Sequence, residues 1–422
     1  MTKLGAWTVA GLVIALISFT APSWAATSGQ KVLYAFQGGT DGFYPEGGLL
    51  FDASGNLYGT TTGGGAPGAG TVFELTPTAN GWSETVLYHF QGGTDGYYPD
   101  TSLVMDAAGN LYGTTLYGGT GPCAVSGCGT VFELMPPVNG GSWTESILYS
   151  FQDGADGAFP SAGVILDKFG NLYGTTGNGG NLAVCSGQGC GTAFELSAVS
   201  GVWTETTLYS FQGYPQDGAT PVGLTMDSNG NLYGATAWGG VADIGTIYEL
   251  SLSNGTWAEK ILYTFPAGQV RGPGLQGSNP NSTLVFNRQG ALFGTAGGGN
   301  PNFCCGVVFM LKRGSGENWN ESVYRFDSEN GAGTNGTVVF DASGNLYGTS
   351  PGSGQFQLGT AYRLKSGPGR HVTETYYSFC PNADCPNGSN PQGGVILDGS
   401  GNLYGTTFDG GLGWGVVYEI TP

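Results

Sequence analysis

A ten-residue stretch, Asp-Ala-Ser-Gly-Asn-Leu-Tyr-Gly-Thr-Thr, returns in close copies along the whole chain, and its first copy spans residues 52–61. Its Asn-Leu-Tyr-Gly core begins at Asn56, Asn110, Asn171, Asn231, Asn345 and Asn402, and a degenerate Ala-Leu-Phe-Gly copy begins at Ala291. Successive cores are therefore 54 to 61 residues apart. A near-constant period of this size is typical of propellers and solenoids, in which each repeat is one structural unit.

Each repeat contains four strand-like segments, here called strands A to D. In the first copy they are residues 47–52, 56–61, 70–75 and 84–90, and they are rich in β-branched and aromatic residues. The A–B connection contains Asp52, which can bond the backbone ahead of it, and Gly55, which suits the left-handed position of a tight hairpin. Each repeat is therefore predicted to be a four-stranded antiparallel sheet.

The two ends of the chain carry complementary parts of one repeat. The last copy stops after strand C, at residues 415–422, and has no strand D. Residues 31–36, Lys-Val-Leu-Tyr-Ala-Phe, match strand D of other copies. Sheets that are apolar on both faces gain stability by stacking on neighbours. The sequence therefore predicts an all-β, seven-bladed β-propeller over residues 26–422, with residues 31–36 completing the C-terminal blade.

The first 25 residues have the pattern of a signal peptide. Lys3 supplies a positive charge, residues 10–19 are apolar, and Ser23 and Ala25 are small residues around a cleavage point. An uncleaved anchor is the alternative, although the apolar stretch is short for a full membrane span. We expect a secreted or periplasmic monomer with no membrane insertion after cleavage. The net charge of −18 argues against a nucleic-acid partner, because phosphate binding needs a basic surface.

Eight cysteines lie in four close pairs. Three pairs share the spacing C-x4-C, namely Cys123/Cys128, Cys185/Cys190 and Cys380/Cys385. Local disulfides are the first interpretation in an exported protein, and zinc, which needs four converging ligands, is the alternative. Cys304 and Cys305 are adjacent in the sequence. Three alternatives are open for them: a disulfide with each other, disulfides with other cysteines, or free thiols.

The repeat unit D-x-x-G-N-L-Y-G-T-T…G-G…G-T-V-F-E-L…W-x-E-T-x-L-Y-x-F resembles the GloVer (Gloeo/Verruco) tandem-repeat family of exported bacterial proteins. It is also loosely similar to NHL and kelch propeller repeats. The resemblance covers nearly all of the chain after the signal segment and implies a propeller at the cell exterior, without implying an activity. Family members often have a C-terminal anchoring tail, whereas this sequence stops inside the last blade, which favours a released protein.

Residues that recur in nearly every repeat are interpreted as scaffold. They are the Glu of strand C, the Glu and Trp at the start of strand D, Tyr58 with its equivalents, and the Asp of the D–A loops. The Asp of the D–A loops recurs as Asp41, Asp95, Asp156 and Asp217. Its position before Gly indicates an Asp-Gly turn rather than a calcium loop. His89 and His371 form no recognisable catalytic triad or metal centre. We therefore predict no catalytic residues, metal or cofactor.

The loop between strands B and C varies at one position that mostly precedes a Gly-Gly pair. This position is Gly63, Tyr117, Asn178, Trp238, Gly298, Gly352 and Asp409 in successive repeats. B–C and D–A loops share one face of a propeller, around the mouth of its channel, and exposed aromatic and polar side chains there suit carbohydrate or peptide binding. The candidate ligand-binding residues are Tyr117, Asn178, Trp238 and Asp409. An unselected exposed loop is the alternative.

The leading hypothesis is an exported, non-enzymatic binding module for a glycan or another extracellular polymer. One alternative is a polysaccharide lyase or hydrolase at the channel mouth, acting through unique carboxylates such as Asp409 or Asp243. Another is a structural protein of the cell envelope, which the low charge and high glycine content suggest. Clustering of non-repeated acids in one pocket would favour the enzyme.

Overall fold

The computed structural model describes residues 29–123, 126–138, 140–266, 278–297, 306–315, 318–326, 333–365 and 372–422. Five features discussed above lie outside these residues. They are the expected signal segment, Gly298, Cys304, Cys305 and His371.

The described residues form seven antiparallel sheets, and each sheet corresponds to one repeat. Strand β1 (Gly29–Ala35) belongs to the seventh sheet. In chain order, blade 1 contains β2 (Leu50–Phe51), β3 (Leu57–Thr61), β4 (Thr71–Thr78) and β5 (Gly81–His89); blade 2 contains β6 (Val104–Met105), β7 (Leu111–Thr115), β8 (Thr130–Met135) and β9 (Thr144–Ser150); and blade 3 contains β10 (Ile165–Leu166), β11 (Leu172–Thr176), β12 (Thr192–Val199) and β13 (Val202–Ser210).

The remaining blades follow the same order. Blade 4 contains β14 (Gly218–Met226), β15 (Leu232–Gly239), β16 (Thr246–Ser253) and β17 (Thr256–Thr264); blade 5 contains β18 (Ser278–Pro280), β19 (Val285–Phe286), β20 (Leu292–Gly297), β21 (Val307–Arg313) and β22 (Trp319–Arg325); blade 6 contains β23 (Asn335–Phe340), β24 (Leu346–Ser350), β25 (Thr360–Lys365) and β26 (Val372–Ser378); and blade 7 contains β27 (Ile396–Leu397), β28 (Leu403–Thr407) and β29 (Val416–Thr421). In blade 5, β18 and β19 are two pieces of strand A, since both pair with β20. Two single-turn 3-10 helices span Gly93–Asp95 and Cys185–Gly187.

The recurring Asp-x-x-Gly-Asn-Leu-Tyr motif is a hydrogen-bonded hairpin. The Asp52 carboxylate accepts the backbone N–H groups of Ser54 and Asn56, each at 2.8 Å, and it also accepts the Asn56 side-chain amide and the Tyr58 hydroxyl. Gly55 has a φ of 87°, which an L side chain adopts only under strain. The same Asp–Asn bonding recurs in every blade except the fifth, where Asn287 replaces the Asp.

The glycine that ends the Asn-Leu-Tyr-Gly core makes room for an aromatic ring of the next strand. A Cβ atom on Gly59 would lie 2.5 Å from the Phe73 ring of strand β4. Phe73 is fully buried, so it has no free space into which to move. This close approach explains why a strand-interior residue with poor strand propensity recurs in every repeat.

Neighbouring blades contact each other through a repeated pair of aromatic rings. The last aromatic residue of strand D meets an aromatic residue of strand C in the next blade, with ring centroids 4.5 to 5.5 Å apart. The pairs are Phe36–Phe73, Phe90–Phe132, Phe151–Phe194, Phe211–Tyr248, Phe265–Phe309, Phe326–Tyr362 and Phe379–Tyr418. The core is therefore a series of layers between blades.

The ring closes as the sequence predicts. Strand β1 pairs with β29 in antiparallel register from Gly29↔Thr421 to Ala35↔Val416, and the backbone N–H of Phe36 donates to Gly415 O at 3.1 Å. The predicted seven-bladed propeller with four antiparallel strands per blade is confirmed. Strand A is shorter than expected in several blades, for example only Leu50–Phe51 in blade 1.

Candidate functional site

The D–A and B–C loops lie on one face of the ring, here called the loop face. Short backbone bridges join the two loops in several blades, and each bridge ends on the variable B–C position. They are Phe43↔Gly63, Tyr97↔Tyr117, Ala158↔Asn178 and Ser389↔Asp409, with Ala219↔Trp238 at the equivalent place in blade 4. The four candidate binding residues therefore occupy equivalent positions on different blades of this face.

The surroundings of these four residues differ. Tyr117 is half-buried between Tyr97 at 6.0 Å and Phe159 of the next blade at 5.8 Å. Trp238 is 50% exposed, so one large ring surface faces solvent. Asp409 accepts a long hydrogen bond of 3.4 Å from the Asn390 side chain. Asn178 is half-buried and contributes its backbone to the bridge with the preceding loop.

A second variable position on the loop face is the residue before the Pro (Thr334 in blade 6) that lies near the start of strand A. It adopts the left-handed conformation in every blade, with φ between 53° and 67°, which is uncommon for any residue with a side chain. The residues are Tyr44, Tyr98, Phe159, Thr220, Asn279, Gly333 and Asn390. The backbone strain is thus common to the ring, while the side chain it presents changes from blade to blade.

The aromatic members of this second position form two groups. Tyr44 stacks on Phe408 with centroids 4.2 Å apart and rings nearly parallel, and Trp414 lies 5.8 Å from Tyr44. In blade 2, Tyr98 lies 6.2 Å from Tyr117, which in turn meets Phe159 of blade 3. One sector of the loop face, from blade 7 to blade 3, is therefore rich in half-buried aromatic rings.

The residues that follow the same proline, or Thr334 in blade 6, line a cavity on the ring axis. This cavity has a volume of about 300 Å³ and receives residues from all seven blades. We call the described side chains directly after the Pro the channel-mouth ring, and they are Glu46, Asp100, Ser161, Val222, Asn281 and Gln392. Its only ionisable members are two carboxylic acids on adjacent blades.

Both acids have raised pKa values. Burial and the neighbouring Glu46 carboxylate raise the pKa of Asp100 to about 7, although the backbone N–H of Asp100 opposes this rise. Burial also raises the pKa of Glu46, while the Tyr98 hydroxyl, which donates to Glu46 Oε1 at 3.2 Å, lowers it. Asp100 Oδ1 is buried and accepts no hydrogen bond. Among the residues that line the cavity there is no Lys, Arg or His.

Glu46 and Asp100 were not predicted as site residues. The enzyme alternative named Asp409 and Asp243, but neither lines the channel cavity, and Asp243 Oδ1 accepts the backbone N–H of Gly239 within its own turn. The sequence does contain a sign of these two residues, directly after the Pro that ends the D–A loop. The position after the Pro is acidic in only two repeats, which is the non-repeating pattern that a site shows.

The recurring acids are scaffold, as the sequence indicates. Glu74 Oε1 accepts the Tyr58 hydroxyl at 2.9 Å, and the equivalent bonds recur in blades 2, 3 and 7. Asp41 accepts the Tyr34 hydroxyl and the backbone N–H groups of Gln37 and Gly39, which fixes the D–A turn. The recurring Trp residues pack against the hydrophobic layers between blades.

Among the described residues, three disulfides stiffen the loop face. Cys123–Cys128 and Cys185–Cys190 close small loops between strands B and C, and Cys380–Cys385 closes one between strands D and A. All three predicted pairings are confirmed. In the described part of the chain, no group of three or more His, Cys, Asp or Glu side chains is arranged as a metal centre. The same residues include no helix that is long and apolar enough to cross a bilayer.

Comparison with known proteins identifies the family. The model of the Gloeobacter/Verrucomicrobia repeat matches residues 19–204 and 183–418. The chain belongs to this repeat family. The resemblance seen in the sequence is thereby confirmed. No curated protein matches the chain in sequence.

Solved structures with a similar fold are distant in sequence. A fungal alcohol oxidase of the AA5 family, solved with copper, shares 13% identity at a TM-score of 0.55, over 94% of this chain and 77% of that one. PorZ, a surface component of the type-IX secretion system of Porphyromonas gingivalis, shares 13% identity at a TM-score of 0.43, over 85% of this chain and 44% of that one. At 13% identity the likeness to the alcohol oxidase is one of fold.

Proposed function

We propose that this repeat protein is an exported binding module that holds a glycan or another extracellular polymer on its loop face. The observation that carries the proposal is the concentration of variable aromatic and polar side chains around the channel mouth. Aromatic rings flanked by polar groups suit carbohydrate, because sugar rings offer apolar C–H faces and hydroxyl edges. The three disulfides support an oxidising compartment.

The contrast between the two faces supports the same reading. On the opposite face, the A–B hairpins repeat one hydrogen-bonded Asp turn with few changes. On the loop face, two equivalent positions each carry five different residue types around the ring, although the backbone at them is the same in most blades. A rigid frame with variable side chains on one face is the arrangement of a binding surface.

A screen of neutral and acidic polysaccharides by affinity electrophoresis tests the proposal. Trp238→Ala removes an exposed ring from the loop face, and truncation of an aromatic anchor lowers binding by about 2 kcal/mol, or roughly 30-fold in Kd. Phe169→Ala is the matched control, because Phe169 is an exposed aromatic residue, at 77%, on the opposite face. A screen without any retarded sample, or equal effects of the two variants, would refute this function.

A second candidate is a glycan-cleaving enzyme that uses the Glu46–Asp100 pair. Two neighbouring carboxyl groups with raised pKa values, of which that of Asp100 is about 7, suit acid–base cleavage of a glycosidic bond. Release of new reducing ends or unsaturated products from a bound polysaccharide would support it, provided that Glu46→Gln abolishes the release. Binding without products leaves the binding module as the function.

A further inference from the structure

The negative charge of the channel-mouth ring is not balanced by a basic side chain of the cavity lining. Glu46 and Asp100 approach the ring axis from adjacent blades, and no basic side chain lines the same cavity. Asp100 Oδ1 is buried without a hydrogen-bond donor. A buried carboxylate oxygen without a donor or counter-charge is unfavourable, so a positive charge bound between the two acids would stabilise the ring.

Two agents can neutralise this pair. A proton neutralises one carboxyl group and leaves one charge, whereas a divalent cation neutralises both. The lining contains oxygen donors other than the acids, among them the Ser161 hydroxyl and the Gln392 carboxamide, and it contains no imidazole or thiol. Oxygen-only surroundings select hard cations such as Ca²⁺ over zinc or copper.

The shape of the site favours Ca²⁺ over Mg²⁺. The cavity of about 300 Å³ has room for a cation that keeps several waters. Its donors come from separate blades, so they have no fixed octahedral geometry. Ca²⁺ accepts six to eight oxygens in flexible arrangements, whereas Mg²⁺ requires a compact octahedron.

We propose that the channel mouth is a Ca²⁺ site in which Glu46 and Asp100 supply the charged ligands. Neutral oxygens of the cavity lining and water complete the coordination. The inference is independent of the proposed polymer binding, since it concerns the axis of the ring and not the exposed aromatic residues.

Isothermal titration of Ca²⁺ into the full chain at about pH 8, where the Asp100 carboxyl is ionised, tests the site. We expect one site per chain and a weaker response to Mg²⁺. Asp100→Asn and Glu46→Gln each remove one charged ligand and should weaken Ca²⁺ binding by at least about tenfold. Asp153→Asn is the matched control: it removes a carboxylate elsewhere on the loop face, at a left-handed position that Asn tolerates, and should leave binding unchanged.

Thermal unfolding of the same variants distinguishes loss of the Ca²⁺ site from failure to fold. In a chelating buffer at about pH 8, Asp100→Asn should fold and unfold at an equal or higher temperature than the wild type, because it lacks the buried unpaired charge. Added Ca²⁺ should raise the Tm of the wild type and of Asp153→Asn more than that of Asp100→Asn at the same Ca²⁺ concentration. The proposal is wrong if the wild type binds no Ca²⁺ under these conditions, or if Asp100→Asn binds it as tightly as the wild type.

Discussion

Ring closure by the N-terminal strand predicts that β1 and the Phe directly after it stabilise the fold as much as their counterparts inside the chain. Phe36 and Phe90 form a matched pair for this test. Both are fully buried, and both meet a strand-C ring of the next blade, with centroids at 5.3 Å and 5.1 Å. Their backbone N–H groups donate to Gly415 and Gly70 at 3.1 Å and 3.0 Å.

Truncation of a buried Phe to Ala lowers the free energy of unfolding by about 3 to 5 kcal/mol, through lost apolar transfer and the cavity that remains. Phe36→Ala and Phe90→Ala should therefore each destabilise the ring by about 4 kcal/mol, within about 1 kcal/mol of each other. Phe169→Ala, which truncates a residue that is 77% exposed, should change stability by less than about 0.5 kcal/mol.

Urea unfolding, followed by tryptophan fluorescence and by far-ultraviolet circular dichroism, measures these differences. The midpoint should move while the slope stays constant, because the surface exposed on unfolding is unchanged. If Phe36→Ala unfolds like the wild type while Phe90→Ala loses about 4 kcal/mol, β1 is a dispensable edge strand and the closure argument fails.

Two further predictions concern buried polar groups. Burial raises the pKa of four strand-D carboxyl groups from 4.5 to about 7, those of Glu84, Glu145, Glu205 and Glu259. The folded chain then holds more protons than the unfolded chain between pH 4.5 and about 7, so stability is full below this window and decreases as pH rises through it. Because these side chains are partly exposed, each contributes on the order of 1 kcal/mol. Tm measured from about pH 5 to about pH 8 should fall, and the double variant Glu84→Gln/Glu145→Gln should flatten the fall; a rising Tm would contradict the assignment. The Tyr248 hydroxyl is buried without a partner, and blades 1 to 3 have Phe at the equivalent position. Tyr248→Phe should therefore raise the free energy of unfolding by about 1 kcal/mol, whereas a loss of that size in urea unfolding would show that the hydroxyl makes a stabilising contact.

The sequence by itself determined the number of blades, their strand order and the closure of the ring. Each of these follows from local chemistry repeated at a fixed period. The Asp52 turn needs only residues within the same hairpin, and the likeness between residues 31–36 and strand D is visible in the printed sequence. The scaffold roles of Tyr58 and Glu74 were predicted for the same reason, because a residue that recurs in most blades serves every blade.

Only the tertiary structure decided which residues meet on the ring axis. Glu46 and Asp100 are 54 positions apart in the sequence, and they interact because stacking of the blades turns the start of each strand A toward one cavity. Whether a carboxyl group is buried, and whether a donor reaches it, depends on the angle between neighbouring blades. The repeat period does not encode that angle. The raised pKa of Asp100 therefore could not be predicted from the repeats that determine the fold.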